Sequence, residues 1–303
     1  MRRVVHFRAT LMLFAVAACE RPRGEAANSV SVTAGGATRD TLGPAASAVT
    51  EYWPSYLGSM LLVGTEVPTR ATLIPSDSSA AAVAEPPKPA RAFLIGRDRR
   101  VQVALVTPAL PSSDGCWTGS IQSGGAPLRP WTAGFVADSI HPVALDSIAG
   151  LKKVDSIYFS AEATRLASII PGDSTDEFFG LPFVVETLWH FGIPGDTDIL
   201  IATLQRQINQ EAMPLQERTL IVAEQDSSTS GSFVATYAER SSGEEETIET
   251  REVLGVMMTG QPAQPTIILA RDFGDGVSYA LIERTASRQW HVGWSSAKRK
   301  CSS

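Results

Sequence analysis

The sequence has little histidine and cysteine, and it lacks the short motifs that identify common catalytic sites. Its 303 residues include four histidines and three cysteines. Neither a phosphate-binding loop nor a Gly-x-Gly-x-x-Gly fingerprint occurs, so no pattern indicates a nucleotide site. No two histidines have the His-x-His or His-x-x-x-His spacing, so a zinc site would need ligands from distant segments. From the sequence we therefore assign no catalytic residue, no metal ligand and no cofactor.

Long apolar segments and an excess of basic residues are also missing. The apolar run 9–18 is much shorter than the roughly 20 residues that a membrane-spanning helix needs. The net charge is −6, with 26 basic and 32 acidic residues. An acidic chain is a poor candidate for binding the phosphate backbone, so we expect no nucleic-acid partner.

The N-terminal segment has the organisation of an export signal. Arg2, Arg3 and Arg8 precede the apolar run, and small residues end it before Cys19. This order of a basic region, an apolar core and small residues is typical of a secretory signal peptide. Ala15 and Ala17 would suit an ordinary cleavage site, so an unlipidated signal peptide is one interpretation.

Residues 16–19, with the sequence Val-Ala-Ala-Cys, resemble the lipobox of bacterial lipoproteins. The resemblance implies that residues 1–18 are the signal peptide and that Cys19 is lipidated, which makes the membrane a partner. Two or more acyl chains anchor a protein stably, since each buried methylene contributes about 0.8 kcal/mol. Glu20 follows Cys19 in place of the aspartate that retains enteric lipoproteins in the inner membrane. The resemblance thus implies an exported envelope protein and favours the outer membrane.

If Cys19 carries lipid, Cys116 and Cys301 are the two cysteines left. An even pair in an exported protein is typical of a disulfide, because the compartments outside the cytoplasm permit this bond. We predict that Cys116 and Cys301 are bonded to each other. The alternative is two buried or free thiols.

Composition divides the exported chain into a tether and one folded domain. Residues 19–50 are rich in alanine, serine, threonine and glycine and lack aromatic side chains, which is typical of a flexible tether. Aromatic residues begin at Tyr52, so we place a globular domain at 51–303. Within it, residues 76–91 form an Ala/Ser/Pro-rich segment that predicts a loop.

The fold class predicted for this domain is α+β, with a mostly antiparallel β-sheet, a C-terminal meander and a few helices from the middle of the chain. Short apolar segments separated by turns such as 274–276 predict the meander between residues 199 and 294. Asp-Ser-Ile recurs at Asp138, Asp146 and Asp155, and Asp and Ser are helix N-cap residues. The run from Ser156 to the residue before Pro171 predicts one helix that covers the sheet.

Strict alternation along two of the predicted strands assigns their side chains to faces. In one strand, it places Phe233, Ala235 and Tyr237 on the same face. In the other, residues 290, 292 and 294 share a face and His291 lies on the opposite one. Tryptophans on a curved sheet are either core residues or the lining of an apolar groove. Three tryptophans in predicted strands could line such a groove: Trp189, Trp290 and Trp294.

Two short similarities to enzyme families fail on their context. Cys116-Trp117 resembles the step that carries the nucleophile of papain-like proteases, but glycines and a proline follow instead of a helix. Residues 172–174 resemble the start of the Gly-Asp-Ser-Leu esterase motif, but Thr175 replaces the leucine and a predicted helix precedes the segment. We therefore assign neither chemistry.

The sequence favours a non-enzymatic envelope lipoprotein whose domain binds a partner protein or an apolar ligand. The alternative is an envelope hydrolase with a site built from dispersed histidines and acidic residues. A hydrolase requires His141, His190 or His291 to converge with carboxylates in one cleft. A binding protein requires an apolar pocket or patch and allows the histidines to lie apart. A purely structural surface protein requires neither arrangement.

Overall fold

The computed structural model describes most of the chain from residue 38 onward. The described ranges are 38–42, 49–65, 67–76, 88–96, 100–109, 111–112, 116–136, 141–170, 176–193, 197–209, 214–225 and 232–301. All of them belong to one unit, Gly36–Ser303. The predicted signal peptide and Cys19 lie outside the described residues.

Within these ranges the chain forms 18 strands and one α-helix. The strands are β1 Thr38–Leu42, β2 Val49–Thr50, β3 Met60–Gly64, β4 Arg70–Pro75, β5 Ala90–Ile95, β6 Val101–Pro108, β7 Trp117–Ser123, β8 Ala133–Val136, β9 His141–Pro142, β10 Asp146–Ser147, β11 Val184–Ile193, β12 Thr197–Ile208, β13 Leu215–Gln225, β14 Phe233–Glu244, β15 Thr250–Thr259, β16 Gln264–Asp272, β17 Val277–Ala286 and β18 Gln289–Ser296. The helix α1 is Lys153–Ile169, and short 3-10 turns are Ser55–Leu57, Ile148–Gly150 and Asp176–Phe178.

The predicted mostly antiparallel architecture and C-terminal meander are confirmed, but the expectation of a few helices is wrong. The described chain contains one α-helix, which begins at Lys153 and ends at Ile169. Of the three Asp-Ser-Ile segments, Asp155 lies in the first turn of α1. Asp146 instead begins β10, which pairs with His190 of β11, and Asp138 lies outside the described residues. Asp and Ser suit turns and strand ends as well as N-caps, so the pattern overestimated the helical content.

The described strands form two six-stranded sheets and a closed six-stranded barrel. The first sheet has the order β1-β14-β13-β12-β11-β10, and the second has the order β2-β18-β17-β16-β15-β9. The barrel has the order β3-β4-β7-β6-β5-β8. Pairing is antiparallel except between β18 and β2, which are parallel.

Four apolar cores show that these parts are stacked in layers. Helix α1 packs on the first sheet, where Leu166 of the helix and Phe233 of β14 belong to one core. The opposite face of that sheet packs on the second sheet, where Tyr237 and Trp290 belong to one core. The far face of the second sheet packs on the outside of the barrel, and a fourth core fills the barrel interior. The central strands are therefore buried on both faces, which explains their continuous apolar runs, such as residues 199–202.

Two β-bulges change the faces that strict alternation assigned. In β14, Tyr237 pairs with Val222 and Ala235 pairs with Ala223, so Thr236 is an extra residue. Phe233 and Ala235 consequently face α1, whereas Tyr237 faces the second sheet. The prediction of one shared face is wrong here, because an inserted residue shifts every later side chain to the other face.

The same correction applies to β18. Val292 pairs with Ile282 and Trp294 pairs with Leu281, which leaves Gly293 as the extra residue. Trp290 and Val292 lie in the core between the two sheets, and Trp294 lies in the core between the second sheet and the barrel. The prediction that Trp294 shares their face is therefore wrong.

Residues on both sides of the predicted domain boundary contribute to the sheets. In the segment 19–50, β1 pairs with β14 and β2 pairs with β18, while residues 19–37 and 43–48 lie outside the described residues. In the segment 76–91, Ser76 bridges to Trp53 and Ala90 begins β5. Residues 77–87 lie outside the described residues.

Candidate functional site

A cleft of about 1080 Å³ lies where the barrel meets the second sheet. Its volume is close to the roughly 300–1,000 Å³ typical of small-molecule sites. The turn that precedes β3 closes one part of it through residues 55–58. The barrel wall consists of Ser59, Ser76, Arg91, Phe93 and Val136, and the sheet wall consists of His141, Met257, Met258, Thr259, Gly260, Gln261 and Ala263.

The barrel wall follows from the strand alternation of β5. Arg91 and Phe93 are two residues apart and therefore face the same side of the strand. The Arg91 guanidinium lies over the Phe93 ring, 5.2 Å from its centroid. Phe93 pairs with Phe135 of β8, which is buried against the second sheet, and with Val103 of β6, which is 48% exposed. The outer apolar surface of the barrel thus runs from the buried interface, through the cleft, to solvent.

The sheet wall is formed by the end of β15 and its short neighbour β9. His141 pairs with Met258, and Pro142 pairs with Met257. His141 lies in this two-residue strand. The hairpin between β15 and β16 continues the wall through Gly260 and Gln261. Methionine side chains are flexible and polarizable, so this wall suits apolar groups of varied shape.

The described lining of the cleft contains no aspartate or glutamate. Its ionisable side chains are Tyr56, Arg91 and His141. Tyr56 donates a hydrogen bond of 3.0 Å from its hydroxyl to Oε1 of Glu283. Burial, together with the negative charge of Glu283 and this hydrogen bond, raises the pKa of Tyr56, so the phenol stays protonated at neutral pH. The cleft therefore presents basic and neutral groups in a protein with a net negative charge.

The three histidines of the hydrolase hypothesis lie apart. His190 is on β11 in the first sheet, where it stacks on Phe159 at 4.7 Å and lies 3.3 Å from Asp198. His141 is on β9 and His291 is on β18. Both strands belong to the second sheet, where β18 is the fourth strand from β9. Four strand spacings correspond to about 19 Å. The structure therefore does not bring these histidines into one cleft.

His291, Glu283 and Tyr56 form a row of polar side chains beside the cleft. Nε2 of His291 lies 3.9 Å from Oε2 of Glu283, whose other oxygen accepts the hydrogen bond from Tyr56. As the alternation predicted, His291 lies on the opposite face of β18 from Trp290. This position places His291 next to the Glu283 carboxylate. The row connects β18 and β17 to the turn that closes the cleft.

Cys116 and Cys301 form the predicted disulfide, with 5.6 Å between their Cα atoms. Cys116 is buried and directly precedes β7, so the bond ties the segment after β18 to the barrel. A bonded Cys116 cannot act as the nucleophile that its resemblance to papain-like proteases would suggest. Residues 172–174 and Cys19 lie outside the described residues, so lipidation of Cys19 stays a prediction.

None of the three tryptophans predicted as a possible groove lining is among the described residues that line the cleft. Trp290 and Trp294 are core residues on opposite faces of the second sheet, and Trp189 packs against the core between the sheets. The core interpretation is therefore confirmed for Trp290 and Trp294. Instead, the cleft is built from Phe93, Met257 and Met258, which no sequence motif marks. The one local signal is that Arg91 ends the Ala/Ser/Pro-rich segment 76–91 and directly precedes the apolar run 92–95.

The described chain contains no helix that is both long and apolar enough to cross a bilayer. Among the same residues, no three His, Cys, Asp or Glu side chains are grouped closely enough to hold a metal ion. In comparisons with known proteins, no family, no curated protein and no solved structure matches this chain.

Proposed function

We propose that this protein is a lipid-anchored lipoprotein of the bacterial envelope, most consistent with the outer membrane, whose folded domain is a non-enzymatic binding module. The lipobox-like residues 16–19 support the anchor. The single observation that carries the binding role is the cleft between the barrel and the second sheet, with its volume of about 1080 Å³.

The apolar part of the cleft lining suits an apolar ligand or an apolar segment of a partner protein. Phe93 and Val136 contribute apolar surface from the barrel, and Met258 contributes it from the second sheet. Burial of such surface stabilises a complex by about 25 cal/mol per Å² before the cost of association. The exposed Val103 and Leu105 of β6 extend this surface beyond the cleft.

The hydrolase alternative has less support from the described residues. His190 is held between Asp146 and Asp198 on the first sheet, and His291 faces Glu283. His141, the histidine that lines the cleft, has no carboxylate among the described lining residues. A histidine that acts as a general base needs an orienting partner and a substrate within hydrogen-bond reach.

The anchor is tested by the intact mass of the mature protein extracted from its native membrane. We expect loss of residues 1–18 and a lipid-sized mass increment on Cys19. The Cys19→Ser variant should lack the increment and leave the membrane fraction. A wild-type chain without the increment would contradict the anchor and leave the binding role to be judged separately.

The binding role is tested with a neutral, environment-sensitive dye such as Nile red. We expect saturable binding by the wild type and a large loss in Met258→Asp, which puts a charge on the half-buried sheet wall of the cleft. The matched control is Ile157→Asp, because Ile157 is 60% exposed on α1, on the other side of the first sheet. Equal binding by both variants would exclude the cleft as the site.

A further inference from the structure

Arg91 is exposed, and unlike the buried arginines of this protein it has no acidic partner among the described residues. Arg206 pairs with Glu217, Arg251 pairs with Glu239, and Arg284 pairs with Glu224. In the part of the chain that the structure describes, the Arg91 guanidinium has no ion pair and no hydrogen bond. It lies in a cleft whose described lining is free of carboxylates, in a chain with 32 acidic residues.

The position of Arg91 leaves its hydrogen-bonding capacity available. Its contact with Phe93 is a cation–π interaction, which holds the guanidinium in place without using its N–H donors. A guanidinium has five donors in a planar fork that fits a carboxylate or phosphate through two parallel hydrogen bonds. Arg91 is therefore placed to bind an anionic group at the edge of an apolar surface.

The apolar surface around Arg91 continues in two directions. Inside the cleft lie Phe93 and the methionines of the sheet wall. Outside it, Arg91 pairs with Leu105 and Phe93 pairs with Val103, so these four side chains share the outer face of the barrel. Val103 and Leu105 are 48% and 46% exposed. A ligand with a charged group on Arg91 would thus find apolar contacts on both sides.

We propose that the cleft binds a monomeric amphipathic anion, an acyl chain or similar apolar body that ends in one carboxylate or phosphate group. Arg91 binds the anionic group through two hydrogen bonds, and His141 lines the opposite wall as a further polar contact. Phe93 and Met258 contact the apolar body. This inference depends on the proposed binding role of the cleft and specifies its ligand.

The test is displacement of Nile red by three probes with the same twelve-carbon chain and different head groups. These are dodecanoate, dodecanol and dodecyltrimethylammonium, each used below its micelle-forming concentration. The protein is the full chain with Cys19→Ser, and its folding is checked by circular dichroism. We expect dodecanoate to bind about tenfold more tightly than the other two, because charge-assisted hydrogen bonds stabilise only its complex. Dodecyl phosphate should behave like dodecanoate.

The matched variants are Arg91→Gln and Arg70→Gln. Both remove one exposed arginine charge from a barrel strand, but Arg70 does not line the cleft. We expect Arg91→Gln to lose the preference for dodecanoate, with dodecanol binding unchanged, and Arg70→Gln to keep it. An equal loss in both variants would overturn the role of Arg91.

The remaining outcomes separate this inference from the proposed function. Equal displacement by all three head groups would overturn the anionic ligand and leave an apolar binding site. Binding to phosphatidylglycerol vesicles without displacement by dodecanoate would overturn the monomeric ligand in favour of a lipid surface. Failure of the wild type to bind Nile red would contradict the binding role itself.

Discussion

Arg284 of β17 donates two hydrogen bonds, each of 2.9 Å, to the two carboxylate oxygens of Glu224 of β13. Both side chains are buried, and the pair crosses from the second sheet to the first. Trp290 donates from Nε1 to the same carboxylate at 2.7 Å, and Gln264 accepts from Arg284 at 2.7 Å. One end of the interface between the sheets is therefore held by a connected polar network in an apolar core.

A second network lies at the other end of the interface. Glu239 of β14 accepts hydrogen bonds from Arg251, Arg271 and Tyr237, and all four side chains are buried. Buried ion pairs contribute little net stability, but they are costly to break from one side. The two networks therefore favour one specific alignment of the sheets, and thereby support the sheet that forms one wall of the cleft.

We expect Glu224→Gln to destabilise the protein by about 3 kcal/mol, because it leaves the Arg284 charge buried without its counter-ion. The measurement is the free energy of unfolding in urea. Glu246→Gln is the control, since Glu246 is exposed in the turn after β14. A loss in Glu224→Gln no larger than that of the control would show that the buried pair does not hold the sheets together.

The same carboxylate predicts a pH dependence of stability. Burial alone would raise the pKa of Glu224, but the hydrogen bonds from Arg284 and Trp290 outweigh it and hold the pKa below its ordinary value of 4.5. A depressed folded-state pKa contributes stability that is present above the unfolded-state pKa and is lost as the pH falls through the folded-state pKa. We expect unfolding free energies measured from pH 6 to 3 to fall more steeply for the wild type than for Glu224→Gln. Parallel curves would contradict this assignment.

Reduction of the Cys116–Cys301 bond should destabilise the domain by about 2–5 kcal/mol, because the bond closes a loop with a sequence separation of 185 residues. Urea unfolding with and without a reductant measures this difference. The double variant Cys116→Ser with Cys301→Ser should match the reduced wild type and should not respond to the reductant. If the reductant changes neither protein, the disulfide does not contribute to stability.

A substitution at Gly64 tests the close packing between the end of β3 and the backbone of Trp131. A Cβ atom at this position would collide with the backbone carbonyl oxygen of Trp131, which cannot move as a flexible side chain can. We expect Gly64→Ala to destabilise the protein by about 1–3 kcal/mol. Gly124→Ala is the control, because a Cβ there would meet no atom within 4 Å. Thermal unfolding that gives equal melting temperatures for both variants would contradict the close contact.

Local patterns in the sequence were sufficient for many of the elements. The apolar run that begins at Ser156 predicts α1 to within a few residues, and the segment 290–294 predicts β18. Pairing of Cys116 with Cys301 was predicted from an even number of cysteines left in a chain that is expected to be exported, and the structure confirms the pair. These predictions depend on period, turn residues and composition, which are properties of neighbouring residues.

The cleft could not be predicted in this way, since its residues come from segments far apart in the chain. Arg91 and Phe93 reach it through β5, and Met258 reaches it through β15. The bulges at Thr236 and Gly293 were missed for a related reason. An inserted residue is visible only in the register of the partner strand, which alternation within one strand does not show.

The sequence by itself determined where α1 and the strands of the C-terminal meander form, that Cys116 pairs with Cys301, and which residues resemble an export and lipidation signal. The tertiary structure alone decided that six strands close into a barrel, as when Leu61 of β3 pairs with Phe135 of β8, 74 positions later. It also decided which sheet faces meet and that Arg91 lies in a cleft whose described lining contains no carboxylate. The physical reason is that strand order and sheet packing are set by the burial of apolar faces across the whole chain, whereas periodicity reports only the local alternation.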